Sequence, residues 1–215
     1  NLDSGFLIIH TDASKTNKNY ARITVLNDKN YLLENEGFRG IGIHQGKKYD
    51  FSLDLENVSG NIKEMKAELI DEKGQLVSVV SIPVSGKGWQ KYAAVFSPKR
   101  TVEKAKLRIT FIGNGVVNVD MISLFPQDTW KGRKGGLRKD LVQKLYDLQP
   151  GFLRFPGGCI VEGRTLAERY QWKKTIGKVE DRENLINKWN NGFAHRLTPD
   201  YWQSFGLGFF EYFQL

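Results

Sequence analysis

The residues best suited to chemistry lie close together in the last third of the 215-residue chain. The stretch "GFLRFPGGC" (151–159) drives a short apolar run into Pro156, Gly157, Gly158 and Cys159, the only cysteine present. Proline has no N–H for a strand ladder, and glycine lets the backbone turn sharply or approach another group closely. Cys159 then opens a segment whose amide can point at a ligand. The same residues suit an ordinary strand-ending turn, and composition alone leaves both readings open. Arg154 is a charge inside an apolar run, a placement that costs free energy unless the guanidinium is paired. Glu162 adds a carboxylate shortly beyond the turn. A phosphate-binding loop is excluded, because no Gly-Lys-Ser/Thr follows the glycines. One cysteine excludes an internal disulfide and a cysteine zinc cluster. His10, His44 and His195 have no metal-ligand spacing, so no metal or cofactor is expected.

These residues need a scaffold, and the chain shows two rhythms. From Gly5 to Phe125, apolar and polar residues mostly alternate, as in "ARITVLN" (21–27), "KKYDFSLDLEN" (47–57) and "KAKLRITFIG" (104–113). In "KKYDFSLDL", Tyr49, Phe51, Leu53 and Leu55 take one face while Asp50, Ser52 and Asp54 take the other, the mark of an antiparallel strand with one wet face. The turn formers "NVSGN", "DEKG", "SGKG", "SPKR" and "GNG" separate about seven such strands. The opening "NLDSGFLIIHTD" is not read as a module's first strand. This pattern predicts an antiparallel β-sandwich of the jelly-roll kind over residues 1–126.

After Pro126 the rhythm changes. Leu137, Leu141, Val142, Leu145 and Leu148 recur at helical spacing until Pro150 stops them. "GFLRF" follows as a strand, then a long loop rich in Trp, Asn, Arg and Gly, then "GLGFFEYFQL" as a helix start. Helix, strand, loop and helix are the beat of a TIM (β/α)8 barrel, which needs about 250 residues. Residues 127–215 are therefore expected to be the incomplete start of one. The whole reads as a multi-domain β plus α/β protein. In such barrels the site is built at the C-terminal strand ends, where "FPGG" stands.

Charge and hydropathy narrow the partners. The net charge of +8 is dispersed and accompanies no nucleic-acid-binding motif. No window reaches the roughly 18 apolar residues of a membrane helix, so no membrane insertion is expected. The opening residues carry no signal-peptide pattern. Both ends read as cuts, and exposed strand edges there leave a homo-oligomer open.

The wider string is more specific. "LQPGFLRFPGGCIVEG", "YQWKKTIG", "VEDR" and "FGLGFFEYFQL", with "NEGFRGIGIHQGKKYDFSL" and "MISLFPQDTWKGRKGGLRKDL" upstream, resemble the α-L-arabinofuranosidases of glycoside hydrolase family 51. The sandwich half resembles the carbohydrate-binding-module-like domain of many members. The resemblance implies a retaining enzyme that removes terminal α-L-arabinofuranosyl residues from arabinose-containing polysaccharides or oligosaccharides. It also implies export from a bacterium.

Carried over by position, Gly158 and Cys159 would line the arabinose pocket, with the Cys159 amide on a sugar hydroxyl. Arg154 would be a buried arginine supporting the nucleophile's carboxylate. Trp189 suits packing against the sugar and packing within its loop equally, and Trp172 would cover the barrel top. Glu162 is not read as catalytic. Retaining glycosidases need two carboxyls about 5–5.5 Å apart, and the family's two glutamates are expected beyond Leu215. Glu162 is then a supporting group, as are Glu180 and Arg182, which could pair across the loop. Lys178 and Glu183 stand where the family often has proline, which leaves the leaving-group subsite undefined. A second reading is a carbohydrate-binding module without catalytic activity, with Tyr20, Tyr31, Phe38, Trp89 and Tyr92 as stacking candidates.

Overall fold

Alternation builds the first half of the molecule. The computed structural model describes residues 3–27, 29–188 and 202–215. It divides into two compact units, one formed by residues 1–11 and 19–139, the other by residues 12–18 and 140–215. The division thus falls at Lys139–Asp140, beyond the 126–127 boundary expected from composition.

Unit 1 holds eight strands: β1 (Gly5–Thr11), β2 (Asn19–Val25), β3 (Tyr31–Asn35), β4 (Ile41–Ile43), β5 (Tyr49–Ile70), β6 (Leu76–Pro83), β7 (Trp89–Phe96) and β8 (Val102–Pro126). Every pairing between them is antiparallel. β1 corrects the reading of the opening residues: it pairs with β2 from Gly5–Val25 to Thr11–Asn19. Its apolar residues fall on both faces, so no alternation advertised it.

β5 and β8 each run through a segment read from sequence as a turn. "NVSGN" and "GNG" do not reverse the chain. They face each other in the ladder, with Gly60 opposite Gly115 and Ile62 opposite Gly113. Gly113 has φ +129°, and a Cβ there would stand 2.2 Å from the Asn61 carbonyl oxygen. Only glycine allows that backbone shape and that approach. Both strands bend at this level, which makes two half-sheets: β1–β2–β8–β5–β7 on the C-terminal half of β8, and β3 and β4 with β8–β5–β6 on its N-terminal half.

The two half-sheets contribute to one core. Phe51, Leu53, Leu55, Val117 and Ile23 from the first half meet Met65, Leu69, Ile109 and Phe111 from the second. Each fully buried side chain of this kind contributes about 1.5–3 kcal/mol. The alternation of "KKYDFSLDL" is realised as expected, with Tyr49, Phe51, Leu53 and Leu55 buried.

Unit 2 departs further from expectation. Helix α1 (Lys139–Asp147) forms, yet of its apolar positions only Val142 is buried, and Leu141 and Leu145 are exposed. "GFLRF" is not a strand: residues 151–155 join no ladder among the described residues. A parallel strand exists only through neighbours on its flanks, and the one ladder described in this unit joins β9 (Leu185–Ile186) to β10 (Trp202–Gln203). No (β/α)8 barrel is seen among the described residues. The remainder is short helices, α2 (Gly158–Glu162) and α3 (Phe209–Phe213), and 3-10 turns at Trp172–Thr175 and Val179–Asp181.

Candidate functional site

The Pro-Gly-Gly turn is held by the residue before it. Phe155 stacks on Tyr212 with ring centroids 3.5 Å apart and meets Phe209 edge-on at 5.8 Å and Tyr170 at 6.1 Å. Tyr170 in turn meets Phe205 at 5.4 Å, and Trp172 packs on Phe209 at 5.7 Å. Burial raises the hydroxyl pKa of Tyr170 and of Tyr212. The cluster thus ties "RFPGG", "YQW" and "FGLGFFEYF" into one body. The Phe155–Pro156 peptide bond is cis.

Gly157, with φ +129°, opens α2. Gly158 needs no special φ, and a Cβ on it would meet no atom within 4 Å. Neither backbone shape nor packing among the described residues demands glycine there. Cys159 is the second residue of α2, among the first-turn positions whose N–H has no acceptor within a helix.

A buried ion pair braces this unit. Arg182, 4% exposed, is its buried arginine. One Nη donates to the Phe205 carbonyl at 2.8 Å and to Glu211 Oε2 at 3.1 Å; the other donates to the Gly177 carbonyl at 2.8 Å and to Glu211 Oε1 at 2.7 Å. Burial pushes the Glu211 carboxyl upward, but the Arg182 hydrogen bonds and the Gly208 amide outweigh it, and its pKa lies below the ordinary value. The Gly208 N–H donates to Glu211 at 2.8 Å. Beside it, the buried Thr175 hydroxyl accepts from the Phe209 amide at 3.0 Å and donates to the Trp172 carbonyl at 2.7 Å. A Cβ on Gly208 would lie 2.1 Å from the Thr175 carbonyl oxygen, so the "TIG" turn and α3 dock through a contact only glycine permits.

The expected site residues are dispersed by comparison. Arg154 is exposed, which corrects its expected burial: the run that carries it lacks flanking strands. Glu162, at the end of α2, forms an exposed ion pair with Lys188. Arg182 pairs with Glu211 and not with Glu180, and Glu183 pairs with Lys174 at 2.7 Å. Trp189 lies outside the described residues. Sequence reasoning missed Glu211 and Thr175. The signal available was Gly208-x-x-Glu211, a carboxylate one turn into a helix start.

Residues 144–215, nearly all of unit 2, match the family model described as the α-L-arabinofuranosidase 1 domain. The extracellular exo-α-L-arabinofuranosidase of Streptomyces chartreusis is 37% identical, over 87% of this chain and 23% of its own length. The chain is similar to α-L-arabinofuranosidases along nearly its whole length. The α-L-arabinofuranosidase 1 of Arabidopsis thaliana is 32% identical over 99% of this chain and 31% of its own. A solved arabinose-bound family 51 α-L-arabinofuranosidase superposes with a TM-score of 0.84 at 26% identity, covering 99% of this chain and 35% of that one. The chain thus spans 23% and 31% of the length of these two curated relatives. The aromatic cluster and the Arg182–Glu211 brace are the internal framework of the matched segment. Among the described residues, no helix is long and apolar enough to cross a membrane.

Proposed function

We propose that the whole protein is a retaining α-L-arabinofuranosidase that removes terminal α-L-arabinofuranosyl residues from arabinose-containing polysaccharides or oligosaccharides. The observation that carries the reading is the coincidence of the matched residues 144–215 with a body that fixes the "RFPGG" turn on six packed aromatic rings. In this reading the turn forms one wall of the sugar pocket. Gly158 leaves room for a sugar ring against the backbone, and the Cys159 N–H donates to a hydroxyl. Residues 1–126 form a jelly-roll module, and residues 127–215 take part in a (β/α)8 barrel. The exposed apolar residues of α1 and of 151–155 support that reading, since both are surfaces a barrel covers. Export fits the extracellular relative.

Retention requires two carboxyls about 5–5.5 Å apart, one attacking the anomeric carbon and one protonating the leaving oxygen. The best-placed carboxylates of unit 2 are engaged elsewhere: Glu162 with Lys188, Glu183 with Lys174, Glu211 with Arg182. As the resemblance implies, the nucleophile and acid/base would come from other parts of the whole protein, with Arg154 and Glu162 as supporting groups at the rim. Hydrolysis of a chromogenic α-L-arabinofuranoside by the whole protein tests the proposal, with the product anomer followed by NMR. Release of arabinose with retained α-configuration is expected. No release, or an inverted product, refutes it.

A further inference from the structure

The two outer faces of unit 1 differ in chemistry. On the half-sheet carrying β3, the outward residues form an ordinary solvated charge ladder. Glu34 pairs with Lys106 and Arg108, both at 3.1 Å, and Lys66 with Glu68 at 2.9 Å. On the other half-sheet one register row crosses five strands through Ile8, Arg22, Asn118, Glu56 and Trp89. Asn118 alternates with the core residues Val117 and Val119, so it points outward, yet it is only 2% exposed. It joins the row's charges: Arg22 Nε donates to its Oδ1 at 2.8 Å, and its Nδ2 donates to Glu56 Oε2 at 2.7 Å.

Two aromatic side chains share this face. Tyr20 on β2 and Trp89 on β7 start from strands three spacings apart, about 14 Å, yet their rings meet edge-on at 5.6 Å. They must therefore reach towards each other across β8 and β5. His10 stacks on Tyr20 at 5.7 Å, and the Arg22 guanidinium lies 6.0 Å from the same ring. Of the five aromatics considered from sequence, Tyr31 and Tyr92 pack against the core and Phe38 stands 90% exposed. Tyr20 and Trp89 alone among them share this face.

We propose that this face binds a neutral oligosaccharide segment, its sugar rings on Trp89 and Tyr20 and its hydroxyls on Arg22 and Glu56. A sugar ring offers an apolar C–H face that packs on an aromatic ring. Its rim of hydroxyls both donates and accepts. The row supplies donors from Arg22 and acceptors from Glu56. Its charges are already balanced through Asn118, which suits an uncharged ligand. In the adjoining row Asp54 is the register partner of Asp120 and of Lys91. These two rows thus carry three carboxylates against two cations while the chain as a whole is +8, which disfavours a polyanion. The inference goes beyond the arabinofuranosidase reading and does not need it, because these residues lie outside the matched 144–215.

Native affinity electrophoresis of the whole protein through gels containing soluble arabinan, arabinoxylan or the anionic polygalacturonate tests it. Retardation by a neutral polymer and not by polygalacturonate is expected. Trp89→Ala and Tyr20→Ala should each weaken that Kd by about tenfold or more, the size of one lost stacking platform. Trp89→Phe, which keeps a ring on the same strand, should lose less. Arg108→Gln on the opposite face should match the parent. Turnover of a small chromogenic arabinofuranoside should be unchanged in all four, and an inactive protein would still be retarded, so the two proposals fail separately. Equal retardation of parent, Trp89→Ala and Trp89→Phe overturns the inference. So does retardation by polygalacturonate alone, or by no polymer.

Discussion

Removing the Arg182 guanidinium should be among the most damaging single changes in unit 2. In Arg182→Ala, the Phe205 and Gly177 carbonyls lose donors at 2.8 Å, and Glu211 loses a two-pronged partner. Breaking a buried pair from one side costs about 3–5 kcal/mol, because the other charge stays behind. The Glu211 side chain is 24% exposed, so water recovers part of that cost. About 3 kcal/mol is the expected loss. Glu211→Gln leaves the carbonyl contacts of Arg182 in place and should cost about 1–2 kcal/mol. The double variant should cost less than the sum, since both changes remove one interaction.

Acid gives an independent handle on the same pair. The Glu211 carboxyl has a lower pKa in the fold than its ordinary 4.5. Its stabilisation is complete above that ordinary value and fades as pH falls through the lower, folded one. The parent should therefore lose stability as pH falls below the ordinary 4.5 more steeply than Arg182→Ala, in which the cause of the shift is gone. Urea unfolding at stepped pH measures this, with hydrogen exchange over 172–182 and 205–213 as the local reporter. A cost below about 1 kcal/mol for Arg182→Ala, or identical acid profiles, would refute the account.

Two other substitutions separate shape from function. Gly158→Ala should change stability by no more than about 0.5 kcal/mol, since the new methyl meets nothing within 4 Å. If the turn lines the sugar pocket, arabinofuranoside turnover by the whole protein should nevertheless fall by about tenfold or more, a change near 1.4 kcal/mol; unchanged kinetics would remove Gly158 from the pocket. Gly113→Ala places a methyl 2.2 Å from the Asn61 oxygen at φ +129°. It should lower the stability of unit 1 by about 3 kcal/mol, and a thermal midpoint equal to the parent's would count against the bend as described.

Legibility in the sequence followed the range of each interaction. The buried face of "KKYDFSLDL" was readable because period-two burial is a local pattern, and Tyr49 to Leu55 obey it. Gly60 and Gly115 were misread as chain reversals: glycine announces a positive φ, not what the chain does afterwards. Their meaning lies in each other, across a ladder. Arg182 was singled out and given a neighbour two residues away, whereas its partner stands at Glu211 in another element. Asn118 stands at an outward position of an alternating strand, yet it is buried, bonded to Arg22 and Glu56 from two neighbouring strands. The helical spacing of α1 was legible, but spacing cannot say whether the apolar face finds a partner.

The shared bend in β5 and β8 also bears on how unit 1 comes apart. Because the same two strands run through both half-sheets, neither half owns a complete set of partners. Their ladder joins residues tens of positions apart, from Tyr49–Pro126 to Ile70–Lys106. Closing such distant pairs is slow in two-state folding, and once they open no self-sufficient sub-structure is left. Unit 1 should therefore melt in one cooperative step, with the slowest hydrogen exchange in the middle of β5 and β8, on either side of the paired glycines.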